Sequence, residues 1–140
     1  MSDDNLLTLF NQFSATNNTL NKKLDRSLGA VHGLGISEFR VLHQLSQAPD
    51  NTMSRIELAD KIGLTASGVT RLLTPMDKIG LIEKQSNQRD ARVSLVKLSA
   101  TGRQRFTEAL DGFNHLMQES IRELTKQERQ ALLAILKKIL

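Results

Sequence analysis

The sequence has 140 residues, a mass of 15.6 kDa, 39% hydrophobic and 24% charged residues and a net charge of +4, which predicts one soluble globular domain rather than a disordered chain. The absence of Cys excludes disulfides, thiolate metal sites and cysteine redox sensing, and the absence of Trp and Tyr disfavours single-strand binding by base stacking. No apolar run approaches the roughly 18 residues of a membrane span, and the acidic start does not resemble a signal peptide, so we expect a cytoplasmic protein without membrane contact.

The first predicted element is a long helix with a heptad pattern of apolar side chains. The steps between these side chains alternate between four and three residues, and Asn17 occupies one position of the series. The apolar members are Leu6, Phe10, Phe13, Leu20, Leu24, Leu28 and Val31. The stripe predicts packing against another helix, where Asn17 either sets the register or faces solvent.

A glycine-rich segment ends this helix and leads to a second, shorter one. The glycines are Gly29, Gly33 and Gly35. Ser37 is the expected N-cap of the second helix, which carries Phe39, Leu42 and Leu45 on one face. The cluster Pro49, Asp50 and Asn51 then predicts a turn.

The central segment predicts two short helices joined by a tight turn. Ser54 and Glu57 have the spacing of a capping box and open the first helix. Its predicted buried residues are Ile56, Ala59 and Ile62. Gly63 can adopt the left-handed conformation of the turn, and Thr65 can cap the second helix. Together they predict a helix-turn-helix.

The second of these helices has an apolar face and a polar face. The apolar residues are Val69, Leu72, Leu73, Met76 and Ile79, and the polar residues are Ser67, Thr70, Arg71, Thr74 and Lys78. Pro75 opposes a continuous helix, because it cannot donate to the Arg71 carbonyl. Since the apolar period continues past Pro75, we expect the helix to reach Ile79 and to end at Gly80.

The next segment predicts a β-hairpin with a basic tip. Residues 81–85 and 93–98 are short and rich in β-branched residues, and residues 86–92 between them are polar. A β-hairpin directly after a helix-turn-helix is called a wing. Residues 54–105 hold ten basic and five acidic residues, so all of the excess positive charge lies in this central part of the chain.

Two further helices complete the predicted fold. Ser99 is the expected cap of the first, whose stripe consists of Phe106, Leu110, Phe113, Met117, Ile121 and Leu124. Thr125 and Glu128 form a second capping box. The last helix then presents Leu132, Leu133, Ile135, Leu136 and Ile139.

This order of elements resembles the MarR family of winged-helix transcriptional regulators. Three pieces carry the resemblance in register: ELADKIGLTASGVTRLL, DKIGLIEK and DARVSLVKLSATG. The resemblance extends over about residues 6–140. It implies a mainly α fold with a small β-hairpin wing, in one domain over residues 1–140. Residues 36–102 would form the winged helix-turn-helix, and residues 1–35 and 103–140 the helical dimerisation region.

The resemblance also implies function and partners. A homodimer would bind a roughly palindromic duplex operator, with the helix after Gly63 in the major groove and the wing tip in the minor groove. The family implies a repressor released by a small phenolic or anionic aromatic ligand, although no effector-binding residue can be named from the sequence. The alternative is a winged-helix module that binds proteins without specific DNA binding.

The candidate DNA-binding residues lie on the predicted recognition helix and wing. They are Ser67, Gly68, Thr70, Arg71, Thr74, Arg89, Asp90 and Arg92. Arg71 suits a guanine or a phosphate, and Arg92 suits the negative potential of a narrow minor groove. The family implies that Asp90 holds Arg92 by a charge-assisted hydrogen bond.

Each of these residues also has a plainer interpretation. Ser67 and Thr70 could be solvent-facing helix residues, and Arg89 a lone surface charge. Asp90 and Arg92 could form a surface ion pair that contributes about 0–1 kcal/mol.

Metal and enzyme functions find little support. The histidines, His32, His43 and His115, lack ligand spacing, so we predict packing or surface roles and no metal or cofactor. The sequence contains no phosphate-binding glycine loop, no HExxH motif and no cysteine nucleophile, and we therefore predict that it is not an enzyme.

Overall fold

A computed structural model describes residues 3–139 and contains six α-helices in this range. They are α1 (Asp3–His32), α2 (Ile36–Gln47), α3 (Arg55–Ile62), α4 (Ala66–Lys78), α5 (Ala100–Ser120) and α6 (Lys126–Lys138). The three strands are β1 (Thr52–Ser54), β2 (Ile82–Ser86) and β3 (Ser94–Leu98). None of the helices in this range combines the length and the apolar character that crossing a membrane requires.

The strands form one antiparallel sheet in the order β1-β3-β2. The predicted hairpin is present as β2 and β3, in which Lys84 lies opposite Val96. Strand β1 was not predicted, and it pairs with the other edge of β3, placing Met53 opposite Val96. Three residues are too few to show an alternating pattern, so only the pairing reveals this strand.

The hydrophobic core lies among α2, α3, α4 and the sheet, and α5 closes one side of it. Its most buried side chains include Leu42, Leu45, Leu58, Leu73, Met76 and Val96. Phe39 of α2 stacks on Phe113 of α5 at a centroid distance of 4.8 Å, and it also contacts Phe106 at 5.2 Å. These aromatic contacts attach the winged region to the long C-terminal helix.

Four predicted helix starts are confirmed by the structure. The hydroxyl groups of Ser54, Thr65, Ser99 and Thr125 each accept a hydrogen bond from a backbone N–H three residues later. At Thr125 the capping box is complete, because its own N–H donates to the Glu128 carboxylate at 2.9 Å.

The predicted start of α2 is wrong. Gly35 is the N-cap, and Ser37 lies inside the helix. The Ile36 N–H donates to Asp25 Oδ1 of α1 at 2.9 Å, and the Gly35 N–H donates to Glu38 Oε1 at the same distance. A Cβ at position 35 would approach these two carboxylates to 3.0 and 3.1 Å, so glycine suits this corner. The cap comes from another helix, which local sequence does not reveal.

The predicted buried face of α3 also requires a correction. Ile56 is 82% exposed, and Leu58 packs in the core together with Ala59 and Ile62. At the start of a short helix the period permits two faces, and the packing against α2 and α4 selects the one that contains Leu58.

The predicted stripe on α1 divides into a buried end and an exposed end. Leu24 and Leu28 are buried, and Gly33, with φ at +67°, follows the last helical residue as predicted, whereas Gly29 lies within the helix. Towards the N-terminus, large apolar side chains are at least half exposed: Leu6, Leu7, Leu9, Phe10 and Phe13. Every described residue of α6 is likewise exposed. No apolar side chain from the described residues of the same chain covers these two surfaces.

Candidate nucleic-acid interface

The turn between α3 and α4 places the candidate recognition helix. Gly63 is left-handed, with φ at +73°, and a side chain there would be strained. The Leu64 N–H donates to the Ala59 carbonyl at 2.9 Å, which closes the end of α3. Thr65 then caps α4 through the Gly68 N–H at 3.0 Å, and the predicted helix-turn-helix is thereby present.

Gly68 has a structural explanation in this turn. A Cβ on Gly68 would lie 3.1 Å from Thr65 Oγ1 and 3.7 Å from Leu64 Cβ. The small residue therefore lets the first turn of α4 close against its own cap. Its assignment to DNA binding remains a prediction.

One side of α4 is packed into the core and the other is polar. Val69, Leu73 and Met76 are buried, while Ser67, Arg71 and Thr74 are exposed and Thr70 is half-buried. Within residues 3–139, the Arg71 side chain forms no hydrogen bond or ion pair. Its guanidinium is therefore available to an external acceptor.

Both threonines on the polar side of α4 bond to their own helix. Thr70 Oγ1 donates to the Ala66 carbonyl at 3.0 Å, and Thr74 Oγ1 donates to the Thr70 carbonyl at 2.8 Å. Ser67 Oγ lies 3.3 Å from Thr65 Oγ1. Hydrogen bonds within the protein therefore already orient the hydroxyl groups of this polar face.

Pro75 does not interrupt α4, which continues to Lys78 as the apolar period predicted. Pro75 and Arg71 are both exposed residues of this helix. Gly80, with φ at +81°, follows the helix end as predicted. Ile79, the last residue of the predicted apolar face, is 58% exposed, because the helix has ended and the chain turns toward β2.

The wing tip is organised by Asn87, which sequence reasoning did not single out. Its Oδ1 accepts from the N–H groups of Arg89 and Asp90 at 2.8 and 3.3 Å. The Val93 N–H donates to the Asp90 carbonyl at 3.0 Å and closes the loop. An Asn followed by polar residues between two strands is the available signal for such a turn.

The predicted contact between Asp90 and Arg92 is present. Arg92 donates to Asp90 Oδ1 from its backbone N–H at 3.0 Å and from Nε at 3.1 Å, and Nη2 donates to Oδ2 at 3.2 Å. The Arg92 side chain is 91% exposed. The side-chain hydrogen bond from Arg92, assisted by its backbone N–H, lowers the pKa of Asp90 below its ordinary value. The ion pair fixes an exposed cation at the wing tip.

The base of the wing is attached to α5 and to the end of α4. Ser99 Oγ donates to the Gly80 carbonyl at 2.6 Å, and the Ser99 N–H donates to the Leu81 carbonyl at 3.2 Å. A Cβ at Gly102 would approach the Leu81 carbonyl oxygen to 2.0 Å, a distance that excludes any side chain. This close contact fixes the base of the hairpin against α5.

The three histidines lie on α1, α2 and α5 and not on α4 or the wing. His43 contacts Phe106 at a ring distance of 5.9 Å, and the His32 carbonyl accepts from Arg105 at 3.1 Å. His115 is exposed on α5. Among the residues that the structure describes, no group of three or more His, Asp or Glu side chains could hold a metal ion.

Two open cavities accompany these elements. One, of about 220 Å³, lies beside α2, β1 and α3 and includes Gln44, Met53 and Lys61 in its lining. The other, of about 260 Å³, lies along α1 near Thr16 and Lys23 and reaches Ser120 of α5.

The fold defines a winged helix-turn-helix protein with additional N- and C-terminal helices. Residues 34–94 match the model of the MarR family. The predicted resemblance to this family is thus confirmed over the winged helix-turn-helix region of the chain.

Relatives of this chain agree with that conclusion. The HTH-type transcriptional regulator YdgJ of Bacillus subtilis is 26% identical over 117 residues, which span 84% of this chain and 70% of YdgJ. A mutant MarR from E. coli, crystallised with operator DNA, has a TM-score of 0.83 and 26% identity, with 99% of each chain covered.

A second solved structure supports the fold. The MarR family regulator Sco3205 from Streptomyces coelicolor, in complex with DNA, has a TM-score of 0.88 at 18% identity and covers 99% of this chain and 87% of its own. These relatives are transcriptional regulators rather than enzymes, which confirms the prediction that this chain is not an enzyme.

Proposed function

We propose that this protein is a transcriptional regulator that binds a specific duplex DNA sequence through α4 and the wing. The observation that carries the proposal is the pair of cations, Arg71 and Arg92, exposed on the two parts of the fold that a winged helix directs at DNA. Arg71 has no partner among the described residues, and Arg92 is held by Asp90 in an exposed position. The DNA-bound relatives with the same fold support this assignment.

The proposed regulator acts as a homodimer on a roughly palindromic operator. The support is the apolar surface on the N-terminal half of α1 and on α6, which the described residues of one chain leave exposed. A two-fold dimer would present two copies of α4 to two half-sites. Regulation by DNA binding places the protein where genomic DNA lies, which we take to be the cytoplasm.

We further propose repression that is relieved by a small phenolic or anionic aromatic ligand, as the family resemblance implies. A reporter gene behind the selected operator tests repression through the change that follows deletion of the regulator. Ligand release is tested by adding salicylate as a probe and measuring the affinity for the operator. An unchanged affinity would remove this ligand class from the proposal.

Selection of duplexes from a random library tests DNA binding directly. We expect recovery of a palindromic sequence. Arg71→Ala should weaken binding to this duplex by about 1–3 kcal/mol and relax the preference at particular base pairs. Arg26→Ala, which removes an exposed cation of α1 instead, is the control for the loss of one positive charge.

The outcomes separate the candidate functions. Equal losses for Arg71→Ala on selected and random DNA would assign Arg71 to the phosphate backbone. Failure to recover any sequence, together with an affinity that does not depend on salt, would contradict DNA binding and favour the protein-interaction module.

A further inference from the structure

The hydroxyl group of Thr70 already donates a hydrogen bond within α4. Thr70 Oγ1 lies 3.0 Å from the Ala66 carbonyl, and a carbonyl oxygen can only accept, so the hydroxyl must be the donor. Thr74 has the same arrangement one turn later, at 2.8 Å from the Thr70 carbonyl. Both hydroxyl groups keep their lone pairs free, because none of the described residues donates to them.

The donors and acceptors on the base edges determine which bases the Thr70 hydroxyl can contact. In the major groove the exocyclic amino groups of adenine and cytosine donate, whereas guanine N7 and O6 and thymine O4 accept. A donor role for Thr70 would require its hydroxyl to leave the Ala66 carbonyl. An acceptor role keeps that bond and adds a second one to the same oxygen.

We propose that Thr70 is a specificity-determining residue that accepts a hydrogen bond from the amino group of an adenine or a cytosine. Arg71, whose guanidinium only donates, supplies the opposite polarity at the neighbouring position and selects base acceptors. The inference rests on the proposed DNA-binding function and specifies what one side chain of that surface can recognise.

Double-mutant cycles between protein and base test the proposal. The probe is the highest-affinity duplex from the random-library selection. Each adenine in turn is replaced by purine, and each cytosine by 2-pyrimidinone, which removes one amino group at a time. Kd values are measured for the wild type, for Thr70→Val, which has the same shape without the hydroxyl, and for Thr70→Ser, which retains it.

At one base of each half-site we expect removal of the amino group to weaken wild-type binding about three- to tenfold. The same replacement should not weaken DNA binding by Thr70→Val, apart from any effect of the replacement on the duplex itself. That effect is common to both proteins and cancels in the cycle. Thr70→Ser should retain the wild-type response. Thr107→Val is the control, because Thr107 Oγ1 donates to the Arg103 carbonyl at 2.9 Å in α5, away from the candidate interface.

Two results would overturn the inference. One is coupling of Thr70 to a 7-deazapurine replacement, which removes an acceptor, and the other is the absence of coupling to any amino group. Either result on a duplex that is bound with sequence preference leaves the proposed function intact. Recovery of no preferred duplex would instead reject the proposed function.

Discussion

At the scale of residues, Asp90 has two opposing effects on the wing. Its charge repels phosphate, yet its carboxylate holds the Arg92 guanidinium through two side-chain hydrogen bonds. A long exposed arginine without this partner would lose more side-chain entropy on binding. Asp90 therefore strengthens DNA binding only if the gain from orienting Arg92 exceeds the repulsion between the Asp90 carboxylate and phosphate.

We predict that Arg92→Ala weakens binding to the selected duplex and lowers the magnitude of the log–log salt slope by about one unit. Its free energy of unfolding should change by less than about 0.5 kcal/mol, because the side chain is 91% exposed. Fluorescence anisotropy over a salt series and urea unfolding provide the two measurements. An unchanged slope would show that Arg92 does not contact phosphate.

Asp90→Ala provides the sharper comparison. If Asp90 orients Arg92, binding should weaken, and the double variant should bind little worse than Arg92→Ala alone. Glu83→Ala is the matched control, since Glu83 is an exposed acid on β2 without a partner in residues 3–139. Removing Glu83 should leave binding unchanged or strengthen it. If Asp90→Ala and Glu83→Ala both bind DNA more tightly at low salt, Asp90 acts only by repelling phosphate.

The pKa of Asp90 reports the same contact in the free protein. Arg92 lowers this pKa, so Arg92→Ala should raise it toward the ordinary value for Asp. Because the folded-state pKa is depressed, the contribution to stability is complete above the unfolded-state pKa and is lost as the pH falls through the folded-state value. A carboxyl-carbon NMR titration measures the pKa, and equal values in both proteins would indicate that the ion pair does not persist in solution.

At the scale of elements, the corner between α1 and α2 connects the helical region to the winged region. Asp25 of α1 accepts from the first N–H of α2, and Arg105 of α5 donates to the His32 carbonyl at the end of α1. A carboxylate at a helix start and a guanidinium at a helix end both oppose the local helix dipole. Three helices are therefore joined at one point by polar contacts.

We predict that Asp25→Ala lowers the free energy of unfolding by about 1 kcal/mol, since the Ile36 N–H loses its acceptor. Urea unfolding measures the difference. Asp111→Ala is the control, because Asp111 is an exposed carboxylate within α5 that bonds to no other described residue. Equal stability of the two variants would mean that water replaces Asp25 as the cap without cost.

At the scale of the whole molecule, the uncovered apolar surface predicts association. Exposed apolar side chains placed singly are ordinary, but those of α1 are concentrated in its N-terminal half, and those of α6 recur along the helix. Phe10 and Phe13, at 66% and 50% exposure, lie on the predicted heptad stripe. Packing of this stripe against a second copy of the chain would remove apolar area from water, which favours association.

We predict a mass of about 31 kDa by sedimentation at micromolar concentration, twice the 15.6 kDa of the chain. Phe13→Glu should shift this mass toward the monomer and weaken binding to a palindrome. Ile56→Glu introduces the same charge at an apolar residue that is 82% exposed on α3, and it should leave the mass unchanged. A wild-type monomer that binds the palindrome tightly would contradict dimerisation.

Features that depend only on near neighbours could be predicted from the sequence alone. The caps at Ser54, Thr65 and Ser99 and the turn at Gly63 each need only three or four consecutive residues, so their signals are local. The pairing of Asp90 with Arg92 was expected from the family resemblance, and its short separation made it possible within one loop.

Features that depend on distant partners could be found only in the folded molecule. Strand β1 exists because β3 offers it an unpaired edge, and Asp25 caps α2 because the chain folds back over 11 residues. The exposure of Ile56 follows from the orientation of α3 on α2 and α4. Periodicity shows which side chains share a face, but only packing determines which face meets the core, because burial is a property of neighbours rather than of residue type.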